Sequence, residues 1–199
     1  MSDELRIEKI AKYLHESHAS KTRFQNLTDD LAPGSVTDAY KAQKALNRLW
    51  EQGGRGPVAG YKIALTSKAI QELVGVDKPV GAAIFSSTMH QSPAKIELDH
   101  FVRLGLEFEL AFEIGEDTSE NNHYDSASVS SFVKAIMPAF ELIEDRDADY
   151  SNLDPMTLIA DNAWCGGVVL GVPKHDWQSI DLSSTPVDLL FNNNVERAT

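Results

Sequence analysis

Cysteine is nearly missing from this chain: Cys165 is the single one in 199 residues. No intrachain disulfide can form, no Cys-x-x-Cys pair exists for metal or redox work, and a reducing cytoplasm is the expected setting. Basic residues are scarce as well, 18 Lys and Arg against 30 Asp and Glu, leaving a formal charge of −12. Phosphate binding needs clustered Lys and Arg, so nucleic acid is not an expected partner. The acidic surplus has its ordinary use in keeping a protein soluble. No apolar run approaches the roughly 18 residues of a membrane span. The start, Met1-Ser2-Asp3-Glu4-Leu5, is charged and periodic, unlike a signal peptide. Neither a membrane nor a secretory route is therefore expected. His-x-x-x-His, His-Glu-x-x-His, Gly-x-Ser-x-Gly, Walker and Gly-x-Gly-x-x-Gly patterns are all missing. Zinc sites, serine hydrolases and nucleotide binders of the usual patterns lose their support with them.

What is present is a globular composition, 42% hydrophobic and 24% charged, enough for one sizeable domain or a helical unit attached to a larger one. Ile7, Ile10, Ala11 and Leu14 follow the spacing of one helix face. A second helix is expected after the turn at Ala32-Pro33-Gly34, capped by Thr37. Ala42, Leu46, Leu49 and Trp50 form its stripe, and Gly53-Gly54 ends it. Beyond Gly56-Pro57 the pattern turns to strands, at Val58 to Leu65, Ala82 to Ser86 and Lys95 to Phe101. Thr66-Ser67 opens a short helix that closes before Gly75. From Leu104 to Ile114 every second residue is apolar, placing six on one sheet face. Ser126 to Ile136 has helical spacing, and strands are expected at Ala139 to Glu144 and Gly166 to Leu170. A hairpin closes the pattern, with Val187 to Phe191 turning through Asn192-Asn193-Asn194 into Val195. The strands do not alternate regularly with helices, so an α+β class is expected. A helical region over 1–56 precedes a β-rich catalytic region over 57–199. The chain stops a few residues into the last hairpin strand, and a truncated C-terminus is the expectation.

Three carboxylates are candidates for chemistry. Glu107 and Glu109 sit two apart on the alternating strand, so their side chains leave one face about 6.5–7 Å apart. At that spacing they can converge on a hard divalent cation, although Glu113 shares the face and all three can equally be solvent-side charges. Glu141 lies within Met137-Pro138-Ala139-Phe140-Glu141-Leu142-Ile143, where both faces look apolar. A buried carboxylate needs a metal or a cation, and Arg146 is the near alternative. Lys62 sits in a similarly apolar strand, where its amine either receives a substrate carboxylate or extends to the surface. Asp161-Asn162, following an apolar segment, reads by itself as a capping or turn pair.

In order along the chain, Gly60-Tyr61-Lys62-Ile63-Ala64-Leu65-Thr66-Ser67, Gly75-Val76-Asp77-Lys78-Pro79 and Leu106-Glu107-Phe108-Glu109-Leu110-Ala111-Phe112 come first. Pro138-Ala139-Phe140-Glu141-Leu142-Ile143 with Arg146, and Ala160-Asp161-Asn162 leading to Val169-Leu170-Gly171, follow. Together these blocks resemble the 2-keto-4-pentenoate hydratase and oxalocrotonate decarboxylase branch of the fumarylacetoacetate hydrolase superfamily. The resemblance implies an α+β fold in which an N-terminal helical region packs on a mixed β-roll. It implies a lyase that hydrates small 2-hydroxy-dienoic (2-oxo) acids in aromatic-compound catabolism, with an oxalocrotonate-type decarboxylase or an inactive truncated member as alternatives. Glu107, Glu109 and Glu141 then match the ligands of Mg²⁺ or Mn²⁺. Lys62 and Asp161 match catalytic positions, and Lys62, Thr66, Ser67, Arg146 and Asn162 match substrate-binding ones. A cytoplasmic homo-oligomer is implied too. Two departures bear on the pocket. Val80-Gly81 follows Pro79 where many hydratases carry an acidic residue and an aromatic one, and Trp164-Cys165 follows Ala163.

Overall fold

Helix α1 (Asp3–Ala19) buries Ile7, Ile10, Ala11 and Leu14, the stripe that the spacing predicts. Helix α2 (Val36–Trp50) packs against it with an alanine-rich face of Ala39, Ala42 and Ala45, flanked by Leu46 and Trp50. Small side chains let the helix axes approach closely, and the larger ones fill the rim of the contact. The cap of α2 is Ser35 rather than Thr37: the Ser35 side chain accepts from the Asp38 N–H, and the helix is already under way at Thr37. After Trp50 the helix widens into a π-turn over Glu51–Arg55, and Gly54 takes the left-handed conformation that ends it.

The structure, a computed structural model, describes residues 3–119 and 122–198. The chain divides into two compact units, one of residues 1–109 and 138–171 and another of residues 110–137 and 172–199. In the first, β1 (Val58–Ala64) pairs antiparallel with β2 (Val80–Phe85), joined by α3 (Lys68–Val74). Ser67 caps α3 and Gly75 stops it in the left-handed conformation, as expected. A mixed sheet of order β3-β6-β5-β4 follows, from β3 (Met89–Gln91), β4 (Leu104–Ile114), β5 (Val133–Glu144) and β6 (Cys165–Leu170). β5 runs antiparallel to β6, and β3 parallel to it. Helix α5 (Pro155–Ala160) starts on the Asp154 cap with Pro155 in its first turn, and packs on α2.

In the second unit a short α4 (Ser126–Ser130) sits on an Asp125 capping box, and Trp177 donates its indole N–H to the Val133 carbonyl. The hairpin of β7 (Val187–Phe191) and β8 (Asn194–Ala198) forms as expected. Asn192 and Asn193 both have positive φ, as a tight two-residue turn requires.

Two expected elements differ. Lys95 to Phe101 is irregular apart from one 3₁₀ turn at Leu98–His100, because Ser92-Pro93 and the charged Lys95 and Glu97 interrupt any pairing edge. Helical spacing at Ser126 to Ile136 holds only for α4; from Val133 onward the chain is strand, where Val133, Ile136 and Phe140 gain more from sheet packing than from a helix. The alternating strand β4 is present at full length, but its apolar side chains from Leu106 to Ile114 stay partly exposed.

One polar clamp ties the first unit together. The fully buried Asn162 amide accepts from the Ala83 N–H at 2.8 Å and donates to the Ala83 carbonyl at 2.9 Å. Asn162→Ala leaves both backbone groups without partners in the core. It is expected to cost about 2–3 kcal/mol, read as a fall in the denaturant midpoint at unchanged slope.

Candidate metal centre

β1 and β2 bring Lys62 opposite Ala82, and the antiparallel register of β5 and β6 brings Glu141 opposite Val168. These positions turn the Lys62 ammonium toward Glu141, with Nζ 2.6 Å from Oε1 and both side chains almost wholly buried. Glu107 and Glu109, one pleat apart on β4, reach toward the same point. One oxygen from each of Glu107, Glu109 and Glu141 lies within 4.8 Å of the others. Three carboxylates from two stretches of backbone thus lie together, one of them paired with an amine.

The electrostatics of this cluster are unfavourable without a further cation. Burial is the strongest influence on Glu141 and pushes its carboxyl up to about 7, against the pull of Lys62; Glu107 and Glu109 add to the rise. Burial likewise raises Glu109, helped by Glu107 and opposed by Lys62. Oε1 of Glu141 has no well-oriented hydrogen-bond donor despite the nearness of Lys62. Three carboxylates share one ammonium, which leaves local negative charge in a partly desolvated place. The donor set is oxygen only, the preference of Mg²⁺, Mn²⁺ or Ca²⁺. Metal–oxygen distances of about 2.1 Å for Mg²⁺ and 2.4 Å for Ca²⁺ space opposed ligands at about 4.2 and 4.8 Å. Three oxygens within 4.8 Å of one another are therefore near enough to share one such ion.

The other expected site residues lie elsewhere in the first unit. Asp161 is fully buried and both its oxygens are taken: Oδ1 lies 2.6 Å from His18 Nε2 and Oδ2 accepts from Arg146 Nη2 at 2.6 Å. Burial alone would raise the Asp161 carboxyl, but His18 and Arg146 outweigh it and hold the group below the ordinary carboxylate range. Arg146 also donates to the Thr22 carbonyl, and Asn162 is committed to Ala83. Arg146 is thus the partner of Asp161, and the ion pair of Glu141 is with Lys62. The Ser67 hydroxyl accepts from the Ile70 N–H as a helix cap, while Thr66 stands exposed at the end of β1. Backbone strain gathers at this second group: Arg146 and Asp147, then Asn162, Ala163 and Trp164, all have positive φ without being glycine.

His18 is the residue that sequence reading passed over. It extends the buried stripe of α1, four residues past Leu14, and a polar side chain on an apolar face signals a buried partner. Nothing in the sequence says that the partner is Asp161, 143 positions away.

No protein-family model matches the chain. A 2-keto-4-pentenoate hydratase of Burkholderia vietnamiensis is 30% identical over 195 residues, 98% of this chain and 73% of that protein. The chain belongs to the hydratase family of the fumarylacetoacetate hydrolase superfamily. Another member, a 2-keto-4-pentenoate hydratase of Paraburkholderia phymatum, is 31% identical over 95% of this chain and 71% of its own. The 2-oxo-hept-4-ene-1,7-dioate hydratase of Escherichia coli is 31% identical over 96% and 72%. Among solved structures, a 4-oxalocrotonate decarboxylase from Pseudomonas putida in complex with magnesium and adipate superposes with a TM-score of 0.75 at 20% identity. That match covers 86% of this chain and 64% of the decarboxylase, so the chain spans just under two thirds of its length. A second structure of a decarboxylase from the same source, with calcium and acetate, gives 0.74. The shared fold is the mixed α+β architecture expected from the sequence.

Proposed function

We propose that the protein is a metal-dependent hydratase of small 2-hydroxy-dienoic acids, the enol forms of 2-oxo acids, working in aromatic-compound breakdown. The observation that carries the reading is the convergence of Glu107, Glu109 and Glu141 beside Lys62, in a chain whose relatives carry hydratase names. Glu107, Glu109 and Glu141 would hold Mg²⁺ or Mn²⁺. When bound, such an ion supplies a Lewis acid that stabilises negative charge developing on a 2-oxo carboxylate. Lys62, fixed in the β1–β2 register and held by Glu141, offers its ammonium to the substrate carboxylate. Thr66, exposed just past the end of β1, would donate a hydroxyl to the substrate in this reading, with the Ser67 cap setting the turn.

Asp161 takes a positioning part in this proposal. With both oxygens engaged it sets Arg146 and His18 instead of reaching a substrate, and Asn162 fixes β2 behind Lys62 through Ala83. A cytoplasmic homo-oligomer belongs to the same reading, carried from the family. Among the described residues no helix is long and apolar enough to cross a membrane.

A decarboxylase is the second reading, favoured by one observation: Val80, following Pro79, is buried and apolar where an acid–base carboxylate would otherwise stand. Incubating the protein with Mg²⁺ and either 2-hydroxypenta-2,4-dienoate or oxalocrotonate separates the two. The hydratase reading expects loss of dienoate absorbance and a product heavier by one water, abolished by a chelator. Release of CO₂ from oxalocrotonate with no water added would establish the decarboxylase. No turnover of either acid by metal-loaded protein would sink both.

A further inference from the structure

Helix α3 reverses the usual order of burial. Its apolar Ile70 stands 46% exposed, while the polar Gln71 beside it is only 2% exposed. Gln71 serves the corner between β1 and α3. Its side-chain Nε2 donates to the Leu65 carbonyl at 2.8 Å. Its backbone carbonyl accepts from the N–H groups of Gly75 and Val76 at the far end of the helix. Leu65 is the residue that needs holding, since its φ of 57° is left-handed, a conformation unfavourable for a residue with a Cβ.

The bond to Leu65 fixes which way the Gln71 amide faces, because only its NH₂ end can donate. The Oε1 end is left buried without a hydrogen-bond partner. A methionine would fill the same space without stranding an oxygen, and water would serve the partly buried Leu65 carbonyl. Packing alone therefore gives no reason for a glutamine here. What the amide supplies, and methionine cannot, is the direction of the Leu65–Thr66 peptide plane. In a trans peptide the carbonyl and the following N–H point opposite ways. With the Leu65 carbonyl drawn in to Gln71, the Thr66 N–H is turned away from it. Among the described residues nothing accepts from that N–H. Thr66 is exposed, directly before the Ser67 cap and on the same run of chain as Lys62.

We propose that Gln71 is a positioning residue: through Leu65 it sets Thr66 so that a free backbone N–H, beside the hydroxyl, is offered to a substrate oxygen. The inference rests on the reading of Thr66 as a substrate-binding residue. It concerns binding more than the chemical step, because Gln71 makes no hydrogen bond to Lys62, Glu107, Glu109 or Glu141 among the described residues. A donor held in place before the substrate arrives saves the cost of ordering it on binding. Its loss is therefore read in KM.

The test is Gln71→Met in the full chain with Mg²⁺, on whichever of 2-hydroxypenta-2,4-dienoate and oxalocrotonate the parent turns over. KM is expected to rise roughly 10-fold, the worth of one hydrogen bond, with kcat within about 3-fold. Mn²⁺ affinity should match the parent, and the melting temperature should stay within about 3 °C. Amide hydrogen exchange at Leu65 to Ser67 should quicken about 10-fold or more, a readout that needs no turnover. Ile70→Gln, on the open side of the same helix, should change none of these. Parent KM or parent exchange in Gln71→Met would overturn the inference and leave the hydratase reading standing. A fall in kcat and metal affinity alongside KM would mark general damage to the site and overturn it too. A parent that turns over neither acid would sink that reading and this inference together.

Discussion

Glu141→Gln is expected to weaken Mg²⁺ and Mn²⁺ binding about 100-fold or more, while leaving the fold in place. Glu107 and Glu109 come from one exposed strand and are held by little else. Glu141 alone is buried, so it is the ligand whose position is fixed before an ion arrives. An amide in its place keeps the shape but removes one negative charge and half the acceptor capacity. The fold should tolerate this. Burial already makes the Glu141 charge costly, as its rise to about 7 records, and Lys62 keeps the nearby Glu109 as a counter-charge. A melting temperature within about 3 °C of the parent is expected, roughly 1 kcal/mol for a chain of this size. Calorimetric titration with Mn²⁺ and a thermal melt check both halves. Parent-like metal affinity in Glu141→Gln would remove Glu141 from the ligand set and the proposed chemistry with it.

The carboxylate cluster was legible in the sequence for a physical reason. A strand of period two declares which side chains share a face, so Glu107 and Glu109 could be paired from spacing alone. A carboxylate inside an apolar strand is costly enough to announce a partner. What spacing could not decide was which partner. Arg146 was the cation near Glu141 in sequence, whereas the pairing with Lys62 depends on β1 and β5 coming together across 79 residues of chain. The same limit applies to Asp161, whose partners His18 and Arg146 come from α1 and the loop after β5. Local pattern read α3 well because its Ser67 cap and Gly75 stop both fell where expected. It failed at Val133 to Ile136, where a three-to-four spacing of apolar residues was shared with a strand buried on both faces. The exposed apolar side of β4 shows the converse, since alternation gives the face but not what covers it.

Asp161→Asn is expected to cost about 3–5 kcal/mol, the price of leaving a buried cation without its counter-ion. Both Asp161 oxygens accept, from His18 on one side and Arg146 on the other. An amide can accept on one side only and turns N–H groups toward a donor on the other. At 2–4 °C per kcal/mol the melting temperature should fall by about 10 °C. The pH dependence follows from the sign of the shift. A carboxyl held below its unfolded value of about 3.9 binds fewer protons in the folded state. Its stabilisation is complete above that value and is lost as pH falls through the lower folded value. The parent should thus lose stability below about pH 4 more steeply than Asp161→Asn, which has no proton to take up there. Replacing both partners, as Asp161→Leu with Arg146→Met, should recover much of the loss, because an apolar pair of similar volume removes the uncompensated charge. Melting curves from pH 7 to 3 on the three proteins decide it. If Asp161→Asn melted with the parent at every pH, the buried triad would not be holding this part of the fold, and Asp161 would be free for the catalytic part that the family resemblance first suggested.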